Sequence, residues 1–340
     1  MSFVETARNG TQSPGHIKEE PGPVREAGRP GSPVAGNLAW EEQLLATHGR
    51  TFHFAARFFP PTLRRPITTL YAFFRILDDL VDEPGEHNQS ERVREELCAW
   101  HAWFTMHGSS PAPREPLGER LAVIMADYHI PPGIFLDFLA GLTIDLEPRE
   151  MLTFAEMERY CYGVAGTVGR ALAHVMGATS DQALHAAESL GIAMQLTNIL
   201  RDVGSDLAVG RLYLPRDDLA RFGSSRAHLC QLIRAQRGPD ARFRAFMRYQ
   251  TARASDYYAQ SMPGIWLLPP QCRLPVLLAA RLYRRILTVI ARRDYDVLRL
   301  RAATSFPEKI GEAMIAFMLD RLWRGGEIFP CREMEVRGEV

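Results

Sequence analysis

The chain has 340 residues, 46% of them hydrophobic and 24% charged, enough apolar surface for one large or two small domains with a buried core. Lysine plus arginine (40) balances aspartate plus glutamate (40), which excludes the basic excess of a nucleic-acid-binding protein. Five scattered cysteines (Cys98, Cys161, Cys230, Cys272, Cys331) form no CxxC pair and fit a reducing compartment. The first forty residues carry charges and prolines where a secretory signal needs an apolar stretch, and no run of about 18 apolar residues suits a bilayer span. The expectation is a cytoplasmic protein, with any membrane contact peripheral and on the inner face.

Residues 1–36 are rich in Gly and Pro, as in Gly28-Arg-Pro-Gly-Ser-Pro33. They cannot bury enough apolar surface to offset chain entropy and are expected to be a disordered tail. From residue 37 to about 325 the apolar pattern is helical, with a short C-terminal tail at 326–340. Helices are expected at 38–48, 51–58, 62–82, 90–106, 117–128, 132–142, 153–176, 180–203, 216–222, 225–236, 241–260, 269–293 and 307–323. Breaks fall at Pro60-Pro61, Pro84-Gly85, Pro131-Pro132, Gly238-Pro239 and Pro269-Pro270, where proline removes a donor and crowds the preceding turn. No alternating β pattern intervenes, so the fold class is all-α, a single domain of helices around a central cavity.

Two stretches carry acidic stripes. In Gln195-Leu-Thr-Asn-Ile-Leu-Arg-Asp-Val-Gly-Ser-Asp206, an advance of about 100° per residue puts Gln195, Asn198, Asp202 and Asp206 in one quadrant of a helix. In Tyr71-Ala-Phe-Phe-Arg-Ile-Leu-Asp-Asp-Leu-Val-Asp82, the side chains of Tyr71, Arg75, Asp78 and Asp82 recur at i, i+4, i+7 and i+11. Asp78, Asp79 and Asp82 also sit near a helix C-terminus, where negative charge opposes the macrodipole and needs a cation. An oxygen-only donor set suits a hard cation, and Mg²⁺ (with Mn²⁺ as a substitute) bound through one or two carboxylates plus phosphate oxygens is the usual arrangement. Two such helices facing each other would hold ions against a diphosphate. Arg75, a cation on an apolar helix, wants either the neighbouring carboxylates or a diphosphate.

Both stretches, with Tyr160-Cys-Tyr-Gly-Val-Ala-Gly-Thr-Val-Gly169 between them and Gly210-Arg-Leu-Tyr-Leu-Pro215 and Tyr295-Asp-Val297 after them, resemble the squalene and phytoene synthase family over roughly residues 44–309. The resemblance implies an isoprenoid-synthase-type bundle in which Asp78 and Asp82, supported by Asp79, and Asn198, Asp202 and Asp206 are ligands of Mg²⁺-diphosphate. Arg201 is then a diphosphate contact. Arg50 and Thr51, at a helix start resembling the family's Ser-Phe-x-x-Ala, would bind phosphate, the alternative being an ordinary N-cap. Tyr283 and Arg301 enter by the same resemblance, with Arg299 competing for the arginine's role. Val164, Ala165, Val168 and Gly169 would form a smooth prenyl wall with Tyr160 near the reacting carbons; the bland alternative is that Gly163, Gly166 and Gly169 admit a packed helix. Phe52, Phe54, Phe73 and Phe74 suit plain core better than cation-stabilising walls, and Gln195 would orient a ligand or an intermediate.

The chain departs from the family at Ser205, where Glu is common, at Thr51, and at Arg170, which either faces outward or alters the pocket. Motif wording nearer the phytoene branch implies head-to-head condensation of two geranylgeranyl diphosphates without NADPH. The nearest rival is a squalene-type reaction of two farnesyl diphosphates. A head-to-tail transferase is disfavoured by the third motif, and a non-catalytic scaffold by the retention of all four aspartates.

Overall fold

The computed structural model describes residues 41, 44, 54–82, 87–106, 111–146 and 150–324. Among these residues every regular element is helical. In chain order they are α1 (Pro61–Asp82), α2 (His87–Thr105), α3 (Leu117–Asp127), α4 (Pro132–Thr143) continued by a 3-10 turn (Ile144–Leu146), and α5 (Phe154–Cys161). A π-helical turn (Tyr162–Gly166) leads into α6 (Thr167–Val175), followed by α7 (Asp181–Ala208), α8 (Arg216–Arg221), α9 (Arg226–Arg234), α10 (Ala241–Ile265), α11 (Pro270–Arg292) and α12 (Phe306–Arg324). The expected tails at 1–36 and 326–340, and most of the helix expected at 38–48, lie outside the described residues. Glu41 is an exception: it is fully buried, accepts a hydrogen bond from Thr69 Oγ1 (2.8 Å) and pairs with Arg120.

Helix α7 organises the packing, lying against α10, α6, the π turn and α11. Ser180 starts it by accepting from the Ala183 N–H (3.2 Å), which satisfies one of the first-turn donors. Its 28 residues run for about 42 Å. One core gathers around α7, α10 and α11, with Phe243, Phe246, Tyr258 and Leu277 fully enclosed. A second, more aromatic core joins α1, α2 and α4. There the Phe73 ring meets Trp100 (5.1 Å), Phe135 (5.6 Å) and Phe104 (5.8 Å) edge-on, and Phe104 stacks on Phe135 at 4.7 Å. These are favoured ring geometries, and truncating Phe73 to Ala would cost about 3–5 kcal/mol. Phe73 and Phe74 are therefore core side chains.

Three expected boundaries move. The helix expected at 153–176 is interrupted by the π turn, where Gly163 lies so close to α4 that a Cβ would meet the Gly141 Cα at 2.8 Å. Backbone contact there takes precedence over regular helical hydrogen bonding, as π turns at functional sites often show. The helix expected to end at 203 runs on to Ala208, carrying Asp206 with it. Gly204 does not stop it, because its missing side chain admits the Val297–Leu298 segment. The Gly204 N–H donates to Val297 O (3.2 Å), and a Cβ would lie 2.6 Å from Leu298 O. The helix expected at 241–260 continues to Ile265, with Pro263 confined to its last turn.

Candidate active site

The C-terminal halves of α1 and α7 carry the two acidic stripes. On α1, Arg75 reaches forward along its own helix to Asp78 (3.2 Å) and to Asp79. Burial first, then the charge of Asp82, pushes the Asp78 carboxyl up to about 7 against the pull of Arg75. Although 40% of the Asp78 side chain is reachable by solvent, protein surrounds it at longer range, so desolvation dominates. On α7, Asn198 Nδ2 donates to Gln195 Oε1 (3.2 Å). Asn198 Oδ1 is buried with no hydrogen-bond partner, an expensive condition for an amide oxygen unless a ligand meets it.

Asp202 is held by two arginines. Arg201 Nε donates to it at 2.9 Å, and Arg301 contributes Nε (2.7 Å) and Nη2 (3.1 Å) in a fork. Burial raises the Asp202 carboxyl, but these hydrogen bonds outweigh it and hold the group below the usual range. Asp206 is the opposite case. Burial, then Asp202, pushes it up to about 7, with Arg211 pulling down and Asp82 of α1 adding to the push. The two stripes thus feel each other's charge. Arg211, just beyond the end of α7, closes the gap by pairing with Asp82 and reaching Val81 O (3.4 Å).

Below this charged mouth lies an apolar cavity of about 230 Å³. Tyr71, Gln195, Asn198 and Tyr283 line its polar end. Val164, Ala165, Val168 and Gly169 form one wall, and small side chains such as Ala173, Ala183, Ala186 and Ala279 line the rest of the interior. The glycines serve both readings left open by the sequence. Gly169 admits the Ala187 carbonyl of α7, where a Cβ would lie 2.2 Å away, and it also faces the cavity. Arg170 is not among the lining residues; it turns to Glu188 (2.9 Å).

Other expectations are relocated. Tyr160, expected near the reacting carbons, does not line the cavity. It is 5% exposed, its ring stacks on Tyr213 at 4.9 Å, and its hydroxyl donates to Asp145 Oδ2 (2.8 Å). Tyr160 lies on the buried side of α5 with Met157 and Cys161, one layer behind the cavity wall. Tyr213 donates to the other oxygen of Asp145 (2.8 Å), and Asp145 in turn adds to the upward push on Asp78. Sequence reasoning missed Asp145, which sits on the 3-10 turn after α4 outside any periodic stripe, and passed over Arg211 and Tyr213 within the quoted Gly210-Arg-Leu-Tyr-Leu-Pro215. Of the two C-terminal arginines, Arg301 meets Asp202, whereas Arg299 pairs with Asp296 (2.5 Å). Ser205 is exposed and donates to Asp202 O (2.8 Å), away from the ligand stripe. Phe54 meets Phe58 edge-on at 5.9 Å. Arg50, Thr51 and Phe52 lie outside the described residues.

Among the described residues no three acidic, histidine or cysteine side chains converge on one point. The carboxylates come in pairs on separate helices, with an orphaned amide oxygen beside one pair. Such a set fits hard cations whose remaining positions are filled by phosphate oxygens and water rather than by an all-protein cage.

The family model described as squalene/phytoene synthase matches residues 45–308. A phytoene synthase of Arthrospira platensis is 38% identical over 277 residues, spanning 76% of this chain and 85% of that one. A 15-cis-phytoene synthase of Synechococcus elongatus is 35% identical over 294 residues, spanning 82% and 92%. Among solved structures, a dehydrosqualene synthase in complex with ligand has a TM-score of 0.73 at 26% identity, over 84% of this chain and 96% of that one. The facing acidic helices, the apolar chamber and this similarity along most of the sequence lead to one conclusion: the chain belongs to the squalene/phytoene synthase family.

Proposed function

We propose that this prenyltransferase joins two geranylgeranyl diphosphates head to head, through prephytoene diphosphate, to give phytoene for carotenoid biosynthesis. The observation that carries the reading is the pairing of two acidic helix ends at the mouth of an apolar cavity. The names of the curated relatives at 35–38% identity support phytoene over squalene-type products. Mg²⁺, when bound, supplies charge neutralisation of the diphosphate leaving group; Asp78, Asp82, Asn198, Asp202 and Asp206 would hold it.

The chain's own groups do the rest. Arg75, Arg201, Arg211 and Arg301, now paired with the acids, are placed to turn their donors toward departing phosphate oxygens. The apolar walls keep water from the allylic cation left by C–O cleavage. In the first half, one donor loses diphosphate, its cation is attacked by the double bond of the second, and one proton leaves. In the second half, the cyclopropylcarbinyl diphosphate ionises, rearranges and gives up another proton. The sequence is redox-neutral, so no NADPH is needed. The tyrosine pair on Asp145 fixes the floor under this end of the site and is a positioning device rather than a reacting one.

The test is product identification by mass spectrometry from purified enzyme with Mg²⁺, offered C15 and C20 donors with and without NADPH. A C40 triene core from the C20 donor without reductant is the expected result. Turnover confined to the C15 donor would move the assignment to the squalene type.

A further inference from the structure

Helix α12 carries apolar side chains on its outward face as well as its inward one. Ser305 and Glu308 cap its start reciprocally, Ser305 N donating to Glu308 Oε2 at 2.9 Å. The face turned to the body packs Ala316, Leu319 and Trp323 on the core and carries the acids: Glu308 meets Arg285 (3.1 Å), Glu312 meets Arg281 (2.7 Å), and Asp320, 4% exposed, meets Arg324 (2.8 Å). The opposite face is apolar. At about 100° per residue, Phe306, Phe317, Ile310, Met314 and Met318 fall within roughly 120° of arc, and they are 71, 49, 40, 62 and 58% exposed. Ordinary surface helices turn charged and polar side chains to this side.

The charge within this outward arc is positive. All three acids of the helix are engaged on its inner side, as is Arg324, which donates to Asp320 and to Pro270 O (2.9 Å), whereas Arg321 lies within the apolar arc, its guanidinium 5.1 Å from the Phe317 ring. An apolar stripe with a cationic side chain suits the boundary between headgroups and acyl chains of an anionic bilayer, where the apolar groups are buried and the arginine reaches lipid phosphates. No helix among the described residues is long and apolar enough to cross a membrane, so such a contact lies in the plane of the surface. We infer that the outward face of α12 docks the protein on an anionic lipid surface, with Phe306, Ile310, Met314, Phe317 and Met318 inserted and Arg321 on the headgroups.

This goes beyond the reaction proposed above and does not depend on it, since lipid binding is measured without substrate. The full chain is sedimented with phosphatidylcholine vesicles and with vesicles of phosphatidylcholine and phosphatidylglycerol, in low and high salt. The expected result is binding to the anionic vesicles that weakens in salt and falls by at least about tenfold in the double variant Met314→Glu, Phe317→Glu, with far-UV circular dichroism and turnover of detergent-dispersed substrate unchanged. Trp323 faces inward, stacked on Trp266, so the probe is the conservative variant Met318→Trp, in which brominated lipid should add quenching at the inserted stripe, a readout that stands even if the double variant misfolds. Equal binding by the double variant, or no added quenching in Met318→Trp and no sedimentation of the unmodified protein, overturns the inference. So does light scattering that shows a dimer converted to monomer by the double variant, which would give the face to a second copy of the chain.

Discussion

The raised affinities of Asp78 and Asp206 for protons make a measurable prediction about the metal-free protein. Both carboxyls titrate near 7 in the folded chain against about 4 when unfolded. The folded state therefore binds more protons than the unfolded state between those values, so stability is greatest at the acid end of that window and falls as pH rises through about 7. Three units correspond to about 4 kcal/mol per group, but with 40% of the Asp78 side chain accessible, screening reduces each contribution to about 1–2 kcal/mol. For a chain of this size, the melting temperature in EDTA should drop by on the order of 5 °C from pH 5 to pH 8. His174, whose affinity for protons is lowered by burial and by Arg170, acts in the opposite sense, losing stability as pH falls. The comparison is therefore made against the variant Asp78→Asn, Asp206→Asn, in which the decline should be much shallower, what is left coming from Asp145, whose carboxyl burial also raises. Adding Mg²⁺ with inorganic diphosphate should also flatten it, because ligation keeps the carboxylates ionised. A metal-free melting temperature that is flat or rising over this range, or equal slopes in protein and variant, would refute the reasoning.

Further outcomes follow from the same geometry. Asp78→Ala and Asp202→Ala should each lower turnover at least about a thousandfold while leaving helical circular dichroism intact, since each removes a carboxylate from one of the two ligand sets; near-normal rates in either would contradict the metal assignment. Asp145→Asn keeps one acceptor but turns an amide N–H toward a tyrosine hydroxyl, so stability should fall by about 1–3 kcal/mol in urea titration, with kcat reduced more than KM. Arg170→Leu breaks only the contact with Glu188 and should leave the preferred donor length unchanged; a shifted chain-length profile would place this side chain against the substrate.

Much of this site was legible because helical periodicity is a strong signal. The stripes Tyr71–Arg75–Asp78–Asp82 and Gln195–Asn198–Asp202–Asp206 needed only the turn angle, and Val164, Ala165, Val168 and Gly169, singled out through the resemblance, are among the residues that line the cavity. What stayed hidden depends on contacts between distant segments. Asp145 lies on a short turn with no period of its own, and its importance comes from Tyr160 and Tyr213, 15 and 68 residues away. Arg211 reads as a loop residue until α1 is brought alongside. Gly204 looks like a helix stop, yet the 297–298 segment fills the space it leaves and carries Arg301 to Asp202. The π turn likewise arises from the approach of α4 at Gly141, which no local pattern encodes.

The account turns on α1 and α7 sharing ions across one diphosphate. The most direct measurement is anomalous scattering from crystals of the protein soaked with Mn²⁺ and a non-ionisable thio-analogue of the prenyl diphosphate. Metal peaks on both helices, beside Asp78 and Asp82 and beside Asn198, Asp202 and Asp206, all touching the same diphosphate, are the predicted result. Metal on one helix alone, or a diphosphate bound away from the mouth of the apolar cavity, would contradict it.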